Sequence, residues 1–214
     1  MVTLVDLGFS KDAIYETIVC TYNQAGVPNA APMGVVMQSP EEVGLVIYNS
    51  ASTLRNLQDS KSATLNLVDD VDVFFHAALK DSALSLDWFE KSDKVDAPQL
   101  RLSKAVIAII PQSFVSLDNL RTKVTSKVTH VMALTVYPQS YCRAKSAVIE
   151  AIIHATRIKA LSNIEKEQAH VDKLVKLIQN CNEVVNRSAP NSHYTKLMSN
   201  LQKKINSWMM MAKA

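Results

Sequence analysis

The hydrophobic period of this chain changes once, near Pro138, and that change limits the fold more than any other feature. Before it, β-branched and aromatic residues come in short runs separated by turn chemistry. Tyr15–Tyr22 (Tyr-Glu-Thr-Ile-Val-Cys-Thr-Tyr) has the composition of a strand. Asn23-Gln-Ala-Gly26 follows as a turn, with Gly26 free to take a positive φ. A second strand through Asn29–Met37 completes a hairpin, Ser39-Pro40 breaks it, and Val43–Tyr48 is a third strand. Ser52–Ser60 reads as a short helix, Ser62–Val68 as a strand and Val71–Leu79 as a helix. Lys104–Leu117 and Lys123–Val136 are two further strand candidates. Many short strands with few long helices predict a barrel or a sandwich.

Past Pro138 the apolar residues repeat at the helical period. Ala144–Leu161 reads as one helix. Ser162-Asn-Ile-Glu165 has the form of a capping box, followed by the stripe Ile164, Val171, Leu174, Val175, Ile178 and Val185. Pro190 stops that helix, and Ser192 is placed to cap another, with Tyr194, Leu197, Met198, Leu201, Ile205, Trp208 and Met209 on its stripe. The last two helices are expected to form an antiparallel hairpin, one apolar seam each. The expected division is a β domain over residues 1–140 and a helical extension over 141–214.

Composition excludes several classes. The chain has 214 residues, 48% hydrophobic and 20% charged, so it can bury a core and has no need to be disordered. The formal net charge is only +3 and the basic residues are scattered, which argues against a nucleic-acid surface. Cys20, Cys142 and Cys181 are odd in number and lack ligand spacing, and the five histidines (His76, His130, His154, His170, His193) lie far apart, so no metal is assigned. The longest apolar run, Ala105–Ile110, is far below the ~20 residues that cross a bilayer. The N-terminus lacks the basic region of a secretory signal. The expectation is a soluble, cytoplasmic protein.

Three stretches could carry chemistry. Pro28-Asn-Ala-Ala-Pro-Met-Gly34 presents little side-chain bulk, so a flat ring could approach its backbone, and Pro32 favours a bulge or strand edge that leaves neighbouring N–H groups free. The same residues also suit a plain hairpin strand with a proline bulge. In Tyr48-Asn-Ser-Ala-Ser-Thr-Leu-Arg-Asn56, hydroxyls sit where a strand gives way to a helix, which suits either a phosphate or ordinary capping. In the tail, Arg143, Glu150, His154 and Arg157 are spaced 7, 4 and 3 apart and fall on one stripe of a largely apolar helix. That stripe suits a bound anion or, better, a closed network of Glu150 with His154 and Arg157, because buried charges are normally paired. The Glu-xxx-His spacing is not the Glu-xx-His of di-iron bundles.

Together these stretches resemble a little-characterised, largely archaeal family of FMN-binding split-barrel proteins within the flavin-reductase-like superfamily. The likeness runs through Ile14-Tyr-Glu-Thr-Ile-Val19, Pro28–Gly34, Ser52-Thr-Leu-Arg-Asn-Leu57, Ala63-Thr-Leu-Asn-Leu67 and, most specifically, Ala147-Val-Ile-Glu-Ala-Ile-Ile-His-Ala-Thr-Arg157. It is weakest across Ser82–Lys127. The resemblance implies an antiparallel split β-barrel of about six strands with a C-terminal helical extension, a homodimer, and FMN near the subunit interface. It implies that Asn29, Ala30, Ala31, Pro32, Met33 and Gly34 border the flavin ring, that Ser50, Ser52 and Thr53 hold the phosphate, and that Arg143 is a further cofactor ligand. Cys142 stands where the family has Asn, and a thiol lacks the amide's hydrogen bonds. The implied function is a flavin-dependent oxidoreductase of unknown substrate. The alternatives are a flavin-binding carrier without turnover, a deazaflavin-binding relative, or a scaffold that has lost its cofactor. No residue stands out as a general acid or base.

Overall fold

The computed structural model describes residues 2–11, 14–80, 84–134 and 143–211. In chain order its elements are β1 (Ile14–Tyr22), β2 (Pro28–Ser39), β3 (Glu42–Tyr48), α1 (Ser52–Ser60), β4 (Ala63–Leu67), α2 (Val71–Leu79), β5 (Phe89–Lys91), β6 (Pro98–Leu100), β7 (Ala105–Ser116), β8 (Arg121–Ala133), α3 (Arg143–Leu161), α4 (Gln168–Ser188) and α5 (His193–Met211). They form two compact units. The chain up to Asp70 and the chain from Lys80 through β8 make the first; α2 joins α3, α4 and α5 in the second.

The first unit is a closed antiparallel barrel of six strands in the order β1-β2-β3-β8-β7-β4. The expected split-barrel architecture is therefore observed. Its strands form because alternate residues fill one interior: Val19, Val35, Val43, Leu45, Ile47, Leu65, Ile107, Ile109 and Val124 are buried together, with Leu54 and Leu57 of α1 packed on them. Burying each such side chain stabilises the fold by about 1.5–3 kcal/mol. The sequence reading missed β5, β6 and the single helical turn at Leu86–Trp88. Three-residue elements are too short to show a period. What holds β6 is a side chain: Asn66 of β4, fully buried, accepts from Leu100 N–H (2.9 Å) and the Ser103 hydroxyl (3.0 Å). Its amide nitrogen donates to Ile18 O (3.0 Å), Thr64 O (3.2 Å) and Thr64 Oγ1 (2.9 Å).

In the second unit α3 is the hub. Ala144, Val148, Ala151, Ile152, Ala155, Ile158 and Leu161 are all buried on it. The pairing differs from the expected hairpin of the last two helices, because α4 packs chiefly on α3 and α5 also rests more on α3 than on α4. The expected capping box is not formed. Ser162 N–H donates to Ile158 O (2.8 Å) and Ile164 N–H to Leu161 O (2.9 Å), so these residues close α3. Glu165–Glu167 is then a single 3₁₀ turn, and α4 begins at Gln168 without a side-chain cap. Ser192 likewise does not cap α5: its hydroxyl is buried without a partner among the described residues, and its carbonyl accepts from Thr195 Oγ1 (2.7 Å). No described helix is long and apolar enough to cross a membrane.

Candidate functional site

One stretch of the barrel wall is unpaired along β2. β2 pairs with β1 from Pro28 to Val36, but its pairing with β3 begins only at Val35. Along Pro28–Gly34 no described strand pairs with the β3-facing edge, while Val46, Ile47 and Tyr48 of β3 pair with β8 alone. A strand edge without a ladder partner offers N–H and C=O groups to whatever lies beside it. Pro32 lacks an N–H and so is tolerated there.

Helix α1 starts at this opening. The chain leaves β3 at Tyr48, turns through Asn49 and Ser50, and enters α1, which touches β1, β2 and β3. Ala51 occupies the N-cap in extended conformation and makes no side-chain cap bond. Among the described residues nothing accepts from the N–H groups of Ser52 and Thr53, and the first turn holds no acid. Unsatisfied donors at the positive end of a helix are the elements of an anion site.

A polar cluster ties the strand to the helix. The Asn29 amide nitrogen donates to Thr53 Oγ1 (3.1 Å) and lies 3.5 Å from Thr21 Oγ1, which also accepts from Asn56 (2.9 Å). The ammonium of Lys80 donates to the Asn29 carbonyl oxygen at 2.5 Å. Lys80 follows α2 with φ +51° and is exposed, whereas Thr53 is only 1% exposed. Thr53 thus anchors Asn29 from within, and Ser52, Asn29 and Lys80 are the members nearer solvent.

The residues singled out from sequence separate by strand parity. Asn29, Ala31 and Met33 share the face of β2 that carries the core residues Val35 and Met37, with Met33 packed on that core. Ala30, Pro32 and Gly34 share the opposite face, where Ala30 is 1% exposed and the other two are half-buried. A methyl group added at Gly34 would lie 2.7 Å from Ile14 Cγ2 on the neighbouring strand. Ser50 is exposed in the turn and Ser52 exposed at the helix start. Arg143 is the exposed first residue of α3, in the helical unit, and Cys142 lies outside the described residues.

Sequence reasoning missed Thr21, Asn56 and Lys80. Asn56 carried a signal, since it falls on the buried face of α1 with Thr53 and Leu57. Lys80 carried none. A separate open cleft of about 490 Å³ lies at the other end of α1, lined by Tyr22, Gln24, Asp59, Ser60, Lys91 and Asp96, and none of the candidate cofactor-binding residues lines it.

The stripe on α3 corrects the sequence reading. His154 is 6% exposed and its Nε2 lies 3.3 Å from Glu150 Oε1, but Glu150 is 56% exposed and Arg157 is exposed with no ion pair among the described residues. The expected buried network of three is a single histidine–carboxylate contact at the surface of the helix. Glu150 and Arg157, seven residues apart, point the same way at the solvent edge of the helix, while His154 between them lies towards the buried side. Burial holds the His154 imidazole below its usual pKa, with Arg157 acting in the same direction and Glu150 opposing.

Residues 15–135 match the family model described as "Protein of unknown function (DUF447) N-terminal domain", and residues 142–203 match its companion, "Protein of unknown function (DUF447)". Among solved structures, the fold is similar to that of an FMN-bound protein from Methanosarcina mazei assigned to the same family model. The TM-score is 0.73 at 21% identity, over 94% of this chain and 98% of that one. It is also similar to an FMN-binding protein from Thermus thermophilus solved with bound 1-cyclohex-2-enone, with a TM-score of 0.50 at 12% identity over 59% of this chain and 75% of that one.

Proposed function

Because the chain belongs to the DUF447 family, we propose that it is a flavoprotein that binds FMN where β2 parts from β3. The observation that carries this reading is the unpaired edge of Pro28–Gly34 beside the uncapped start of α1. A flavin ring needs backbone donors along one side and little side-chain bulk, and the edge with Ala30, Ala31 and Gly34 supplies both. A phosphate needs donors at a positive end, and the N–H groups of Ser52 and Thr53 with the exposed Ser52 hydroxyl supply those, Thr53 being held inward on Asn29. Ser50 stands at the rim of this start, exposed. Asn29, Pro32 and Met33 complete the border on the strand side. FMN bound in a relative of the same fold supports the choice of cofactor.

Bound FMN supplies hydride or single-electron transfer, and the protein's part is placement. The described cluster around Asn29 is made of amides, hydroxyls and one ammonium, and the Glu16 carboxylate lies near Gly34 on the neighbouring strand. The reading is a flavin-dependent oxidoreductase. It acts as a cytoplasmic homodimer with each flavin near the interface, where Arg143 is a candidate ligand, as the resemblance implies.

The test is a titration of purified protein with FMN and riboflavin, followed by flavin fluorescence. Micromolar or tighter binding of FMN is expected. Ala31→Leu is expected to weaken both ligands together, by about a hundred-fold or more, since its added side chain would occupy the ring's approach. Absence of binding by the unsubstituted protein overturns the reading.

A further inference from the structure

We infer that Thr21 and Asn56 are positioning residues of the flavin site. They fix the start of α1 against the β2 edge, so that one ligand holds its ring on the strand and its phosphate on the helix at once. The inference rests on the flavin reading above and adds two residues that act through others.

Four side chains form a crossed clasp between the first hairpin and the helix. Thr21 and Asn29 stand directly opposite each other on β1 and β2. Thr53 and Asn56 stand three residues apart on the buried face of α1, one turn after the other. The strand amide donates to the helix hydroxyl, Asn29 Nδ2 to Thr53 Oγ1 at 3.1 Å. The helix amide donates to the strand hydroxyl, Asn56 Nδ2 to Thr21 Oγ1 at 2.9 Å. Asn29 Nδ2 also lies 3.5 Å from Thr21 Oγ1, which joins the two pairs. Thr21, Thr53 and Asn56 are all buried.

Apolar packing alone would not fix this geometry. Leu54 and Leu57 hold α1 on the barrel core, but the hydrophobic effect has no direction and sets depth more than register. Hydrogen bonds weaken steeply as they bend or stretch, so two crossed ones stop the helix from sliding along the hairpin. The Asn29 end of the clasp lies at the start of the unpaired stretch of β2, and the Thr53 end lies in the first turn of α1. The clasp therefore sets the distance between the ring and phosphate subsites of the flavin reading. A ligand with both groups gains from a fixed distance: once its ring is seated, its phosphate meets the helix at an effective concentration that falls if the two subsites drift.

The experiment titrates FMN and riboflavin into the full chain, into Thr21→Val, into Thr21→Ser and into the double variant carrying Thr21→Val and Asn56→Leu. Melting curves of the ligand-free proteins accompany each titration. Thr21→Val keeps the shape of the side chain and removes the acceptor, and it is expected to weaken FMN about ten-fold and riboflavin by less than about three-fold. Thr21→Ser, which restores the hydroxyl, should recover most of the FMN affinity. The double variant leaves neither partner of the bond unpaired, so its melting should return towards that of the unsubstituted protein while its preference for FMN over riboflavin stays low. An unchanged preference in Thr21→Val, whatever its melting temperature, would make the clasp merely structural and overturn the inference while leaving the flavin reading intact. So would a double variant that regains FMN affinity along with stability, or a Thr21→Ser variant as weak as Thr21→Val. Binding of neither flavin by the unsubstituted chain would overturn both.

Discussion

The barrel and the helical unit treat buried polar groups differently. In the barrel, Asn66 spends its whole carboxamide on five partners drawn from β1, β4, β6 and the turn after it. Thr64 donates to Pro98 O (2.6 Å), and Asn56 is tied to Thr21. Among the described residues of that unit, the buried side-chain atoms without a partner are Ser126 Oγ and Gln99 Oε1. In the helical unit, His154 is as deeply buried, yet its Nδ1 has no partner and its Nε2 reaches only an exposed carboxylate. The reason lies in the backbone. Helices satisfy their own N–H and C=O groups, so a polar side chain inside them has no structural debt to settle. Strands that shift between partners leave edges that side chains must close.

The sharpest way to break this contrast is Asn66→Leu. The replacement keeps the branching and number of side-chain heavy atoms but removes the partners of Leu100 N–H, the Ser103 hydroxyl and Ile18 O in the interior. At about 1–3 kcal/mol for each unsatisfied group, the barrel should lose about 3 kcal/mol or more in a urea titration followed by β-sheet circular dichroism. An unchanged midpoint would show that the amide is packing and nothing more.

His154 should give a smaller and pH-dependent effect. Its folded pKa lies below its unfolded value of about 6.5, so between the two the unfolded chain binds protons that the folded chain does not. Stability is therefore fully present above about pH 6.5 and falls as the pH drops through that window. Comparing the melting of the unsubstituted protein with that of His154→Gln from pH 8 to pH 5 isolates this contribution, because the variant lacks the titrating group. A difference of roughly a few degrees is expected to accumulate below pH 6.5. Parallel profiles would remove His154 from the account.

Glu150→Gln should do least. The sequence suggested a closed network with His154 and Arg157, but the carboxylate is 56% exposed and its partner is held towards the neutral form. About 0.5 kcal/mol or less is expected at pH 7 in the same melting assay. A loss several times larger would restore the buried network.

The fold was largely legible, and particular residues say why. Ser52–Ser60 and Val71–Leu79 were read with the bounds they have, because both are bracketed by turn residues and carry the helical period. The six barrel strands were found within a few residues of their ends. The candidate site was legible only in part. Small residues at Ala30, Ala31 and Gly34 and hydroxyls at Ser52 and Thr53 can be seen in a string of letters. That Thr53 faces inward and is held by Asn29 cannot, because a helix register of one residue decides it.

By itself the sequence determined the two periods, and with them a β region followed by helices, since each period is a local consequence of which residues can share a face. It also determined the composition of the opening. Tertiary structure alone decided that β2 leaves β3 at Val35, that α2 belongs with the C-terminal helices, and that Lys80 meets Asn29 across 51 positions of chain. These are long-range pairings. They are chosen by the closure of the whole barrel and the packing of the helices on α3, and no local preference of the residues involved encodes them.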